Sequence, residues 1–160
     1  MSTEKNETLF KEIDLLQKCI DKASNNSFVV KGWAITLLTV VLALFPEKVN
    51  YWFLAIIISG ATVAFWYLDA FFLRVDKLYR WKYEWVIKNR PSNQQDLYNL
   101  DPYYEEMLGN DKDGKKRKVP RIIFVMFTPT LLAFYIPLLL ISLGCLFYFH
   151  PSVGPIAQLL

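Results

Sequence analysis

Three long apolar runs, separated by strongly charged segments, organise this chain. The first is Phe28 to Phe45, interrupted only by Lys31; the second is Tyr51 to Leu73, interrupted only by Asp69; the third, Ile122 to Phe149, carries no charge. A helix rises about 1.5 Å per residue and needs about 20 apolar residues to cross the hydrocarbon core of a bilayer. The second and third runs reach that length. The first is shorter, but Lys31 lies one turn inside its end, and its stem can carry the ammonium out to the headgroups. The pattern predicts an all-α membrane protein with three transmembrane helices: a hairpin over 28–73, closed by the short linker Pro46–Asn50, and a third span over 122–149. Pro129 and Pro137 fall inside the third span and are expected to kink it. A short tail, 150–160, follows; a re-entrant hairpin that returns the C-terminus is the alternative.

The polar segments carry helical periodicity too. In residues 1–27, Leu9, Ile13, Leu16 and Ile20 recur at steps of four, three and four, with charged residues on the remaining face. Ser24-Asn25-Asn26-Ser27 breaks that pattern and offers a cap for span one, so an amphipathic helix is expected to reach the membrane through a polar elbow. From Val75 to Asn89 there is neither Gly nor Pro. Tyr79, Trp81 and Trp85 share one arc with Val75, Leu78 and Val86, and Asp76, Lys77, Arg80, Glu84 and Lys88 share the other. Span two should therefore continue as one helix for about 20 Å, ending at Arg90-Pro91. Its aromatic arc needs a partner, either the N-terminal helix or other copies of the chain. The rest of 74–121 is a polar connector, in which Leu97, Leu100, Tyr103, Tyr104 and Met107 suggest one or two short helices.

Charge placement orients this plan. Of 18 Lys and Arg, five lie in the N-terminal segment through Lys31, one is Lys48, twelve lie between Arg74 and Arg121, and none follows. Excess Lys and Arg mark the cytoplasmic side. The N-terminus and the segment 74–121 are thus expected in the cytoplasm, with the hairpin tip and tail outside. No cleavable leader is evident, since Phe45-Pro46 offers no small-residue cleavage site. Composition agrees: 54% of residues are hydrophobic and 16% aromatic, more than an ordinary soluble domain of 160 residues can cover. The net charge of +3 is too small to argue for nucleic acid.

Catalytic chemistry is not evident. The single histidine is His150 in the tail, and no metal-ligand spacing, phosphate loop or nucleophile motif exists. Asp111 and Asp113 lack the closing Glu of a calcium loop. Cys19 and Cys145 fall on different sides of the predicted topology and should stay reduced. No enzyme, cofactor or metal is expected. Asp69 is the residue of greatest interest, because an ionisable group within a span faces water or a partner. It could line a conduction path or an inter-subunit contact, or it could pair with Lys31 or Arg74 near the headgroups. Ala55 and Ser59, with Gly60 and Ala64, form two small-xxx-small pairs that allow close helix packing. Lys115, Lys116, Arg117, Lys118 and Arg121 form a topological anchor suited to anionic lipid, or to an anionic signal.

Two segments carry a resemblance. Asn26-Ser27-Phe28-Val29-Val30-Lys31-Gly32-Trp33 and Phe65-Trp66-Tyr67-Leu68-Asp69-Ala70-Phe71-Phe72-Leu73-Arg74, followed by the aromatic and basic Leu78-Tyr79-Arg80-Trp81-Lys82-Tyr83, resemble a group of small bacterial inner-membrane proteins. The layout is similar to the SLATT superfamily and related two-span transmembrane effectors of nucleotide-signalling anti-phage systems. That resemblance implies a multi-pass inner-membrane effector that oligomerises on an infection signal and depolarises the membrane. Its partners would be the lipid bilayer, further copies of the chain, and a cytoplasmic sensor protein or nucleotide second messenger. A non-catalytic anchor that recruits a cytoplasmic partner, and a small channel or transporter subunit, are the alternative readings.

Overall fold

The structure, a computed structural model, describes residues 2–43, 51–90, 96–108 and 117–148. The chain is all-α, with no strand among the described residues. Helix α1 is Ser2–Ala43 and α2 is Tyr51–Asn89; a single 3-10 turn, Glu105–Leu108, precedes the short α3, Ile122–Met126, and α4, Pro129–Tyr148. The linker 46–50, the aspartates at 111 and 113, and the tail 150–160 lie outside the described residues.

Helix α1 departs from the expected elbow. It runs unbroken through Ser24-Asn25-Asn26-Ser27, because Ser and Asn cost a helix interior only a few tenths of a kcal/mol each and no Gly or Pro joins them. Ser24 Oγ instead donates to Asp76 Oδ1 at 2.8 Å, and Ser27 is buried. The buried positions of α1 are Glu12, Leu16, Ala23, Ser27, Ala34 and Leu38, in alternating steps of four and seven. An eleven-residue repeat keeps a stripe nearly straight along a helix.

Helix α2 continues past residue 73 to Asn89, as the lack of Gly and Pro over Val75–Asn89 predicts. The Arg90 amide closes the last turn on the Val86 carbonyl at 3.0 Å. Among the described residues one helix, Ile56–Asn89, is long and apolar enough to cross a membrane; Pro129–Gly144 is a shorter apolar helix.

The third apolar run is two helices where one kinked helix was expected. Proline forces the residue before it out of the helical region, so α3 stops at Met126 and Thr128 starts α4. The Thr128 carbonyl accepts from the amides of Leu131 and Leu132 at 3.1 and 3.0 Å. Pro129 occupies the first helical position, where its missing N–H costs nothing. Pro137 lies inside α4 without ending it.

The chain divides into two compact units. Unit 1 comprises residues up to Ser27 together with Phe71–Val125, and unit 2 comprises Phe28–Ala70 with the chain from Met126 onward. In unit 1 the first part of α1 lies antiparallel to the last part of α2: Ser24 meets Asp76, and Glu12, further back, meets Arg90, further on. In unit 2, α1 meets α2 at Lys31 and Asp69, and α4 meets α2 where Ser142 approaches Ser59 at 3.2 Å.

Candidate functional site

Each unit buries one charged cluster. In unit 2 the Asp69 carboxylate is fully buried, and Lys31 Nζ lies 2.7 and 2.9 Å from its two oxygens. The Tyr135 hydroxyl is within hydrogen-bond reach of the same carboxylate and donates to the Phe65 carbonyl at 3.3 Å. The Tyr135 ring stacks on Trp66 at 5.9 Å, and Trp66 Nε1 donates to the Met126 carbonyl at 3.0 Å. That last bond satisfies an acceptor left over at the end of α3. Helices α1, α2 and α4 thus each place one polar side chain at a single point in a unit whose other described residues carry no charge.

Unit 1 holds the second cluster, which is larger. Arg90 and Glu12 form a bidentate pair at 2.6 and 2.8 Å, with side chains 3% and 0% exposed. Arg90 Nη2 also donates to the Asp96 carbonyl at 2.7 Å, and its guanidinium covers the Trp85 ring at 5.4 Å. About two turns before Arg90, on α2, Lys82 is fully buried. Its ammonium donates to the Asp101 carbonyl at 2.8 Å, approaches Asn99 Oδ1 at 3.4 Å, and sits 4.8 Å over the Tyr104 ring. Tyr104 in turn packs edge-on against Trp85 and donates to Asp96 Oδ2 at 3.2 Å.

Burial pushes the Lys82 ammonium below its ordinary value, partly offset by the charges of Asp101 and Glu12. A lysine whose folded pKa is depressed binds fewer protons folded than unfolded. Its contribution to stability therefore rises with pH through the window that ends at the free-lysine value of about 10.4. The stability of the wild-type chain relative to Lys82→Met is expected to increase between pH 8 and pH 10, as chemical denaturation at the two pH values would show; a constant difference would refute it.

The residues singled out in the sequence distribute as follows. Lys31 and Asp69 meet, whereas Arg74 belongs to unit 1, where its guanidinium lies over Tyr103 at 5.5 Å and its Nε has no hydrogen-bond partner among the described residues. Ser59 reaches α4 at Ser142. Gly60 and Ala64 are exposed, with open space where a Cβ on Gly60 would stand, so Gly60 makes no close helix contact among the described residues. Ala55 is helical. Tyr79 lies beside Cys19, a half-buried free thiol. Trp81 carries Lys77 and Arg117 over its ring at 5.5 and 5.4 Å. Arg117 also reaches Glu84 at 3.5 Å, Lys118 and Arg121 are exposed, and Lys115 and Lys116 lie outside the described residues.

Two further observations bear on chemistry. An open cleft lined by Gln17, Ile20, Asp21, Arg80, Tyr83 and Glu84 mixes both charge signs, with Arg80 already paired to Asp76 at 2.8 Å. Among the described residues no group of three or more His, Cys, Asp or Glu could hold a metal ion. Sequence reasoning missed Glu12, Asp76, Lys82 and Arg90 as buried residues, since charge is normally a mark of a solvated face. The chain matches no family model, and no curated protein or solved structure is similar to it.

Proposed function

We propose that the chain is a non-catalytic effector anchored in a bacterial inner membrane by three spans, with its N-terminus and residues 74–121 in the cytoplasm. On an infection signal it assembles with further copies and depolarises the membrane. The observation that carries the membrane part of this reading is the surface of unit 2. Phe28 is 75% exposed, beside Trp33, Ile56 and Leu140, each above 60%. Water does not support that density of bare aromatic and aliphatic side chains, whereas lipid and copies of the same helices do. The effector part draws on the resemblance given above. It is supported by the contrast between an apolar unit and a unit knit by ion pairs, with α1 and α2 contributing to both. The anchor reading is weakened because Trp81 and Trp85, its docking face, already pack against Arg117, Arg90 and Tyr104.

The test is membrane potential, read by a voltage-sensitive dye in bacteria expressing the chain with its neighbouring genes. Depolarisation only after phage challenge is the expected result, and an unchanged potential with the chain recovered in the membrane fraction would overturn the effector reading. Reporter fusions check the topology: a phosphatase inserted at Lys48 should be active, and one inserted at Gly114 inactive. The reverse result would overturn the orientation.

A further inference from the structure

We propose that residues 96–108 form a strap that closes over Lys82 and Arg90 of α2 and holds unit 1 in a resting state, and that opening of the strap activates the chain. This rests on the effector reading and names its regulation.

The closed strap is fastened by groups that are poor permanent fasteners. Both cations are fully or almost fully buried, and the strap meets them with carbonyls, Asp101 for Lys82 and Asp96 for Arg90, and with the face of Tyr104. Desolvating an ammonium is costly, and carbonyl and aromatic contacts recover only part of that cost. The strap therefore closes with little net gain. Burial also pushes the Lys82 ammonium toward its neutral form, in keeping with that cost.

Backbone conformation adds to the tension. Asp96 and Tyr98 adopt left-handed conformations, with φ of 51° and 60°. Neither is glycine, and a bulky aromatic residue is seldom found there. Such residues persist only where surrounding contacts over-determine them, and here those contacts are the two cations and the Tyr104–Asp96 hydrogen bond. Opening the strap exposes the Lys82 ammonium, removes the Asp96 carbonyl from Arg90 and releases both strained residues. Cost on the closed side and relief on the open side are what a reversible latch needs.

Two substitutions move the latch in opposite directions. Lys82→Gln removes the ammonium that the Asp101 carbonyl and the Tyr104 face hold. Tyr98→Gly accepts the left-handed backbone without strain, and should favour the closed strap by about fivefold or more. Hydrogen exchange of the Asn99, Asp101 and Tyr103 amides, each bonded within the strap, reads its opening in the full-length protein in lipid nanodiscs. Membrane potential in cells reads its consequence.

Faster strap exchange and depolarisation without challenge are expected for Lys82→Gln, with slower exchange and a delayed or weakened response for Tyr98→Gly. Altered exchange with an unaltered response, in cells where the wild type depolarises, overturns the strap proposal and leaves the effector reading standing. Failure of the wild type to depolarise overturns both. Should Lys82→Gln not accumulate in the membrane, Tyr98→Gly decides alone, and a wild-type response from it overturns the latch.

Discussion

Replacing Lys31 by methionine is expected to cost unit 2 about 3–5 kcal/mol, the range for stripping one partner from a buried ion pair. Asp69 has no exposed surface and a short side chain, so the carboxylate left behind can reach neither water nor headgroup and loses the ammonium 2.7 Å away. The reverse replacement, Asp69→Ala, should cost less. Lys31 is 23% exposed along its side chain, and its four-carbon stem lets the ammonium move toward water. The double replacement, Lys31→Met with Asp69→Leu, removes both charges and should recover most of the loss, because a well-packed apolar pair is at least as good as a buried ion pair. At about 2–4 °C per kcal/mol for a chain of this size, Lys31→Met should unfold on the order of 10 °C lower than the wild type in detergent. Equal losses for the two single variants would show that the asymmetry of exposure has no consequence. A double variant as unstable as Lys31→Met would show that the charges are not what holds the three helices at this point.

That cluster was partly legible in the sequence. A lysine and an aspartate, each alone in an apolar run, have few partners but each other, and antiparallel runs joined by a short linker bring them level. Tyr135 was not legible, since a tyrosine in a long apolar run differs from its neighbours by one oxygen, and what it touches depends on where α4 begins. The start of α4 was hidden for a related reason. Pro129 reads as a kink in a continuous helix or as the first residue of a new one, and what decides is whether Thr128 caps.

Helix extents fared better than helix faces. The continuation of α2 to Asn89 follows from the absence of Gly and Pro, and its end from Arg90-Pro91. The faces are right in part: Leu16, Leu78 and Val86, each placed on an apolar face by periodicity, are fully buried, but large apolar residues do not mark the whole buried line. On α1 the buried line passes through Glu12, Ala23 and Ser27 rather than through Leu9, Ile13 and Ile20, which are half-buried at its flanks. On α2 the buried line passes through Leu78, Lys82, Val86 and Arg90 in steps of four. Each such step overshoots a turn by about 40°, so the line drifts slowly across the apolar arc, and Lys82 is carried into it between Leu78 and Val86.

The buried charges on that line lead to the last expected result, that Glu12→Ala destabilises unit 1 by about 3–5 kcal/mol. The two bonds it removes, 2.6 and 2.8 Å long, tie a carboxylate to Arg90, whose side chain is 3% exposed. The guanidinium cannot neutralise itself, because arginine stays protonated at any accessible pH. It must drag water in or pull α2 away from α1. Glu12→Gln keeps an acceptor for one bond and should cost about half as much. Glu12→Leu combined with Arg90→Met should restore the unfolding midpoint, giving a coupling of several kcal/mol in a double-mutant cycle. Yet the restored chain should not behave as the wild type. Arg90 also holds the Asp96 carbonyl at 2.7 Å, and losing that bond should speed exchange of the Asn99 amide while the midpoint stays high. Stability and strap protection recovering together would mean that the pair serves packing alone. Stability returning without protection would mean that a charge is buried at position 90 because an apolar residue there, though it folds as well, has nothing with which to hold the strap.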